Sequence, residues 1–180
     1  MKTLRDLFLD ELAKMHTCEK ELTKALPLLK KAAKSEDLKT LLDIHLKETE
    51  GHVKCIEQVA ESLQEELPDQ SCPVITSLIK DAVVLVVKNL NSPWMDAAII
   101  ADGQKIEHYE IASYGTLCAW AKILGYKHER VLLISTLQQE KTADMLLAGL
   151  AKGAPLRQLV EAVSLKAAGA KVPPLSKLPK

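Results

Sequence analysis

LRDLFLDELAKMHTCEKELTKALPLLKKAA, residues 4 to 33, decides the fold. Phe8, Leu12, Met15, Glu19, Leu22, Leu26 and Leu29 recur at alternating steps of four and three, which places them on one face of a helix and makes that face the seam of a bundle. In the middle of the apolar seam stands a glutamate, Glu19. An unpartnered buried carboxylate is costly, so its position asks for a cation.

The rhythm recurs in the rest of the chain. Leu38, Leu41, His45, Glu48, His52, Cys55 and Val59 form one further stripe, and Ile100, Gly103, Glu107, Glu110, Tyr114, Leu117, Ala121 and Leu124 another. Leu133, Leu137, Glu140, Asp144, Leu147 and Ala151 form the last. Each stripe has polar groups at its centre and apolar residues above and below. A single seam glutamate is commonly neutralised by a neighbouring cationic side chain, but no Lys or Arg occupies these seams. Four acids at mid-stripe point instead to a shared metal site inside a four-helix bundle.

Breaker residues divide the chain to match. The first helix is expected from Thr3 to Lys34, kinked at Pro27, where a backbone donor is missing. Ser35 followed by Glu36 and Asp37 reads as the cap and acidic first turn of a second helix ending near Leu67 and Pro68. Residues 68 to 92 are a long connection whose apolar stretch, Val74 to Leu90, predicts a short packed helix. Ser92 and Pro93 predict the start of a third long helix reaching Leu124 and Gly125, and a fourth spans Lys127 to Lys152. A fifth, shorter helix is expected over Ala154 to Gly169, within a single domain of residues 1 to 170. KVPPLSKLPK, residues 171 to 180, reads as a disordered tail.

Hairpin geometry brings the acids to one level. With a first turn near residue 35, Glu19 lies 16 positions before it, and Glu48 and His52 lie 13 and 17 after it. With a second turn near residue 126, Glu107 and Glu110 lie 19 and 16 before it, and Glu140 and Asp144 lie 14 and 18 after it. At a rise of about 1.5 Å per residue, these groups fall within about a turn of one another.

Composition excludes other classes. Lys plus Arg balances Asp plus Glu at 24 each, so no basic field invites nucleic acid. Aromatic residues make up 3%, a composition of packed helices rather than sheets, and the fold class is all-α. Acids interrupt the apolar residues of the N-terminus, which argues against a signal peptide, and the apolar run Ala82 to Val87 is far too short to span a bilayer. A soluble cytoplasmic protein is expected. Cys18, Cys55, Cys72 and Cys118 are scattered without a C-x-x-C pair, which argues for reduced thiols and against a zinc or rubredoxin-type site.

Beyond periodicity, residues 4 to 33 together with HLKETEGHV (45 to 53), QKIEHYEIASYGTLCAWAK (104 to 122) and LQQEKTADMLL (137 to 147) resemble the bacterial YciE/YciF family of stress-associated ferritin-like proteins. The resemblance covers residues 3 to 152 in order. It implies an antiparallel ferritin-like bundle whose crossover carries the short helix, a di-iron carboxylate centre with ferroxidase- or peroxidase-like activity on oxygen or peroxide, and a homodimer. Carried over, Glu19 and Glu107 are terminal ligands and Glu48 and Glu140 bridges, with Glu110, His52 and Asp144 completing the metal set. Two iron ions are implied, with manganese as an alternative that would favour catalase-like chemistry.

The chain departs from the ferritin pattern at the second ligand of each helix. Gly51 stands where Glu-x-x-His would place a histidine after Glu48, leaving His52 and His45 as rivals, and Ala143 then Asp144 follow Glu140. A reading from another class stays open beside this one: a metal-free or structurally metallated stress protein acting through partner binding. The apolar stripe Leu156, Leu159, Val160 and Val163 needs cover from the bundle or from a second copy.

Overall fold

Thr3 starts the first helix with a capping box. Its hydroxyl accepts the Asp6 backbone N–H and the Asp6 carboxylate accepts the Thr3 N–H, each at 3.1 Å. Helix α1 (Leu4–Ala32) then runs on through Pro27. The Ser35 hydroxyl accepts the Leu38 N–H to open α2 (Glu36–Ser62). After the crossover helix α3 (Pro73–Lys88) come α4 (Met95–Leu124), α5 (Lys127–Ala151) and the short α6 (Leu156–Ala167). The computed structural model describes residues 3–90 and 92–169, and every regular element among them is helical. The expected tail at 171 to 180 lies outside the described residues.

Two helical hairpins make the bundle. α1 packs along α2 and α4 along α5, and the hairpins meet through α2 on α5 and α1 on α4. Asp96, in the first turn of α4, locks them together at one end: its two carboxylate oxygens accept the Lys34 and Ser35 backbone N–H groups at 2.7 and 2.8 Å. Near the other end Phe8 of α1 meets Tyr126, just before α5, edge to face with ring centroids 5.6 Å apart. The crossover helix covers the α1–α4 face, as a ferritin-like bundle with a helix in its long connection requires. No helix among the described residues is long and apolar enough to cross a membrane.

Two boundaries differ from the sequence expectation, each for a local reason. α2 stops at Ser62 rather than near Leu67, because Gln64 takes a left-handed conformation at φ 57° and the Glu65 N–H turns back to the Ala60 carbonyl at 3.0 Å. No glycine marks that stop, so the sequence hides it. α4 begins at Met95 rather than at Pro93. The Ser92 hydroxyl accepts the Trp94 N–H, so Ser92, Pro93 and Trp94 form a turn outside the helix. By contrast α4 ends at Gly125, with φ 78°, where expected.

α6 lies mainly on α5 of its own chain. Leu156 and Leu159 are buried there, while Val160 is 42% exposed. Gly149 makes the approach possible: a Cβ on it would stand 2.4 Å from Leu159 Cδ2. The C-terminal stripe is therefore covered in part by its own bundle.

Candidate metal centre

The seams converge at mid-height on a buried cluster of acids and imidazoles. α1 contributes Glu19, α2 His45 and His52, α4 Glu107 and Glu110, and α5 Glu140, and none of the six is more than 4% exposed. They form two groups, His45, Glu107, Glu110 and Glu140 in one and Glu19, His52 and Glu140 in the other. Within each group one potential ligand atom per residue lies within 4.8 Å of all the others. Glu140 belongs to both groups.

Short contacts run through the cluster. His45 Nε2 lies 3.2 Å from Glu107 Oε1, and His52 Nδ1 lies 2.8 Å from Glu140 Oε1 and 3.5 Å from Glu19 Oε2. The Tyr114 hydroxyl donates a short hydrogen bond to Glu19, and the Cys18 thiol makes a long contact of 3.9 Å to Glu110. On the far side of its ring, His52 Nε2 pairs with Gln139 Oε1 at 2.9 Å. Close approach does not amount to satisfaction. Glu19 Oε2, His45 Nδ1, His52 Nδ1, Glu107 Oε2, Glu110 Oε2 and both Glu140 oxygens are buried with no hydrogen-bond partner of acceptable geometry. The 2.8 Å His52–Glu140 contact is thus an electrostatic contact rather than an aligned hydrogen bond. Groups left in this state in a dry core are costly unless something else binds them.

The protons follow the same crowding. Burial pushes the Glu107 and Glu110 carboxyls well above the usual range, helped by the negative charge of Glu140, and pushes Glu19 up against the opposing pull of His52. Burial alone would lower both imidazoles, but the surrounding carboxylates outweigh it. They push His45 up to about 9, chiefly through Glu107, and His52 up to about 11, chiefly through Glu140 and Glu19. Although burial pulls its carboxyl up, Glu140 ends below the usual range because both imidazoles face it. Without metal, the carboxylates hold protons on the two imidazoles, and burial favours protons on Glu107, Glu110 and Glu19.

Of the seven residues singled out as a metal set, five meet in the cluster: Glu19, His52, Glu107, Glu110 and Glu140. Glu48 and Asp144 stand outside both groups, and the rotation of their helices explains it. The buried face of α2 runs Leu38, Leu41, His45, Thr49, His52 and Ile56, so Glu48 is one residue, about 100°, off its centre. Its side chain is 27% exposed, with Oε2 3.8 Å from His45 Nδ1. On α5 the face passes from Glu140 to Ala143 and Leu147, which turns Asp144 toward Gln104 at 3.2 Å and His108 at 3.5 Å. His45 and His52, rivals in the sequence, both enter, one to each group. Gln139 escaped sequence reading, since it lies off the apolar stripe. Tyr114, one turn beyond Glu110 on its stripe, reads from the sequence either as packing or as a hydrogen-bond donor to a site carboxylate, and it donates to Glu19.

Comparison with known proteins agrees with this fold. Residues 3–161 match a domain of unknown function, DUF892. The chain is 41% identical over 152 residues to Protein YciF of Escherichia coli strain K12, covering 84% of this chain and 92% of that protein. It also resembles the crystal structure of the E. coli stress protein YciF, with a TM-score of 0.79 and 40% identity over 84% of this chain and 96% of that one. A further solved structure, YcfI from Rhodopseudomonas palustris, described as a candidate structural protein, matches with a TM-score of 0.80 and 38% identity over 82% of this chain and 94% of that one. The segments around the buried acids and the shared architecture lead to one assignment: the chain belongs to the DUF892 family, together with YciF.

Proposed function

We propose that this chain is a di-metal carboxylate protein that holds two iron ions, or two manganese ions, and acts on oxygen or peroxide. One observation carries the reading: Glu140 lies in both His/carboxylate groups, as a residue bridging two cations must. The donor set fits. Four carboxylates face two imidazoles, and the unpartnered buried carboxylate oxygens and His52 Nδ1 are atoms that a pair of divalent cations would bind. His45, Glu107 and Glu110 would hold one ion, Glu19 and His52 the other, with Glu140 between them. Iron held in pairs supplies electrons to oxygen or peroxide, and manganese supports peroxide disproportionation.

The chain's own groups do the rest. Tyr114 fixes Glu19 through its hydroxyl, and Gln139 orients His52 through Nε2, leaving Nδ1 turned to the carboxylates. Above and below, Leu12, Met15, Leu22, Ile56, Leu117 and Leu133 are fully or almost fully buried and keep bulk water out. No zinc-type thiolate set competes, since the four cysteines are free and outside both groups.

A second reading, a metal-free or structurally metallated stress protein acting through partner contacts, draws support from the close His45–Glu107 and His52–Glu140 contacts, at 3.2 and 2.8 Å, in which imidazoles meet the buried acids without a metal. The two readings separate on reaction with oxygen. Under the di-metal reading, Fe(II)-loaded protein consumes oxygen or peroxide faster than free Fe(II) at equal concentration, and Glu107→Ala abolishes the excess. Equal rates would favour the partner-binding reading. The proposal also takes the molecule as a homodimer rather than a storage cage, and light scattering giving a particle of twelve or more subunits would overturn that part.

A further inference from the structure

His52 has one nitrogen in the cluster and the other at a wall. Beyond its Nε2 and Gln139 a groove opens between α2 and α5, with a volume of about 430 Å³, lined in part by Lys47, Glu48, Gly51, His52, Thr136 and Gln139. Gly51 leaves the mouth wide, because a Cβ there would meet no atom within 4 Å. Glu48 is one of its lining residues, 27% exposed, with Oε2 3.8 Å from His45 Nδ1. That nitrogen is buried and has no hydrogen-bond partner, and the opposite nitrogen of the same ring lies 3.2 Å from Glu107. Glu48, His45 and Glu107 thus form a series of ligating groups from solvent to core. The α1–α4 face of the bundle is closed by α3.

We propose that the α2–α5 groove is the path by which divalent cations reach the buried acids, and that Glu48 receives them and passes them to His45 and Glu107. The inference rests on the di-metal reading and adds a route to it. A hydrated cation loses its water at great cost in a single step into a dry core, whereas a half-exposed carboxylate replaces part of that shell while the rest remains. Charge favours the same route. Glu48 is the carboxylate among the lining residues, while the Lys47 ammonium turns to Asp43 at 3.2 Å, a carboxylate that Lys30 also pairs at 2.5 Å. Glu48 is therefore a positioning residue for loading rather than a ligand of the filled site.

Rapid mixing of full-length, metal-free protein with Co(II) tests this, since the visible Co(II) spectrum reports coordination without any turnover. The variants are Glu48→Gln, which removes the charge, and Gly51→Leu, which fills the groove mouth from an exposed helical position that tolerates a side chain. Both are expected to fold as wild type by circular dichroism and to finish with two Co(II) per chain and an unchanged spectrum. Loading is expected to slow about ten-fold, the order of effect that a charged, shaped approach has on association. Wild-type loading rates in either variant would overturn the path, and a final content of one Co(II) per chain in Glu48→Gln would make Glu48 a ligand instead. Wild-type protein that binds no Co(II) would remove the di-metal reading itself, an outcome separate from the other two.

Discussion

His45 and His52 stand about two turns apart on one face of α2, and their imidazoles serve different groups of carboxylates: His45 meets Glu107 at 3.2 Å and His52 meets Glu140 at 2.8 Å. A Glu-x-x-His helix supplies both its ligands at neighbouring turns, whereas these two histidines divide between two positions. His45→Ala and His52→Ala are each expected to leave one metal ion per chain where wild type holds two. Elemental analysis of protein loaded and desalted under identical conditions measures the difference. Loss of both ions, or of neither, in the two variants would contradict one histidine per position.

Stability without metal is expected to fall as pH rises. The folded-state pKa values of His45 and His52 are raised to about 9 and about 11, from an ordinary 6.5. Their contribution is fully present below pH 6.5 and is lost as pH rises from there through about 9 and about 11. The raised carboxyls of Glu107, Glu110 and Glu19 act in the same direction, since the folded state keeps protons that the unfolded chain releases. The melting temperature of metal-free protein should therefore drop between pH 6 and pH 9. Divalent metal displaces those protons, so its affinity should rise over the same interval, and calorimetry in buffers of different ionisation enthalpy should register proton release. A melting temperature that climbs with pH would refute the proton inventory given for the cluster.

Tyr114→Phe removes the hydroxyl that donates to Glu19 while keeping the fully buried ring. It is expected to destabilise the metal-free protein by about 1–3 kcal/mol in a urea titration, the usual cost of leaving a buried acceptor without its donor. An unchanged midpoint would mean that Glu19 finds another donor without cost.

Gly149→Val forces a side chain against Leu159, whose Cδ2 would lie 2.4 Å from the new Cβ. A loss of about 1–3 kcal/mol is expected from overpacking. Hydrogen exchange should then quicken in α6 and leave α1 and α2 protected. Uniform loss of protection would show that α6 docking is coupled to the whole bundle.

Much of this was legible in the sequence. Stripes repeating at steps of three and four fixed the long helices, and the hairpin distances brought Glu19, Glu107, Glu110 and Glu140 to one level. Glu48 and Asp144 were harder, because a stripe that alternates three and four leaves two neighbouring residues as candidates for the same seam position. On α2, Thr49 and Ile56 take the inward positions that Glu48 and Cys55 were expected to take, and on α5 Ala143 takes that of Asp144. Only packing decides between neighbours about 100° apart. The end of α2 at Gln64 was likewise invisible, as a left-handed glutamine carries none of the signal a glycine would.

Anomalous diffraction from crystals of the full chain grown with Fe(II) without oxygen, or with Mn(II), locates any metal bound among the buried acids. Two peaks about 3.5–4 Å apart are expected in the middle of the bundle. Glu140 is expected to reach both, with His45 on one and His52 on the other. No peak among the buried acids, a single peak, or a pair ligated by Glu48 and Asp144 in place of the two histidines would contradict this arrangement.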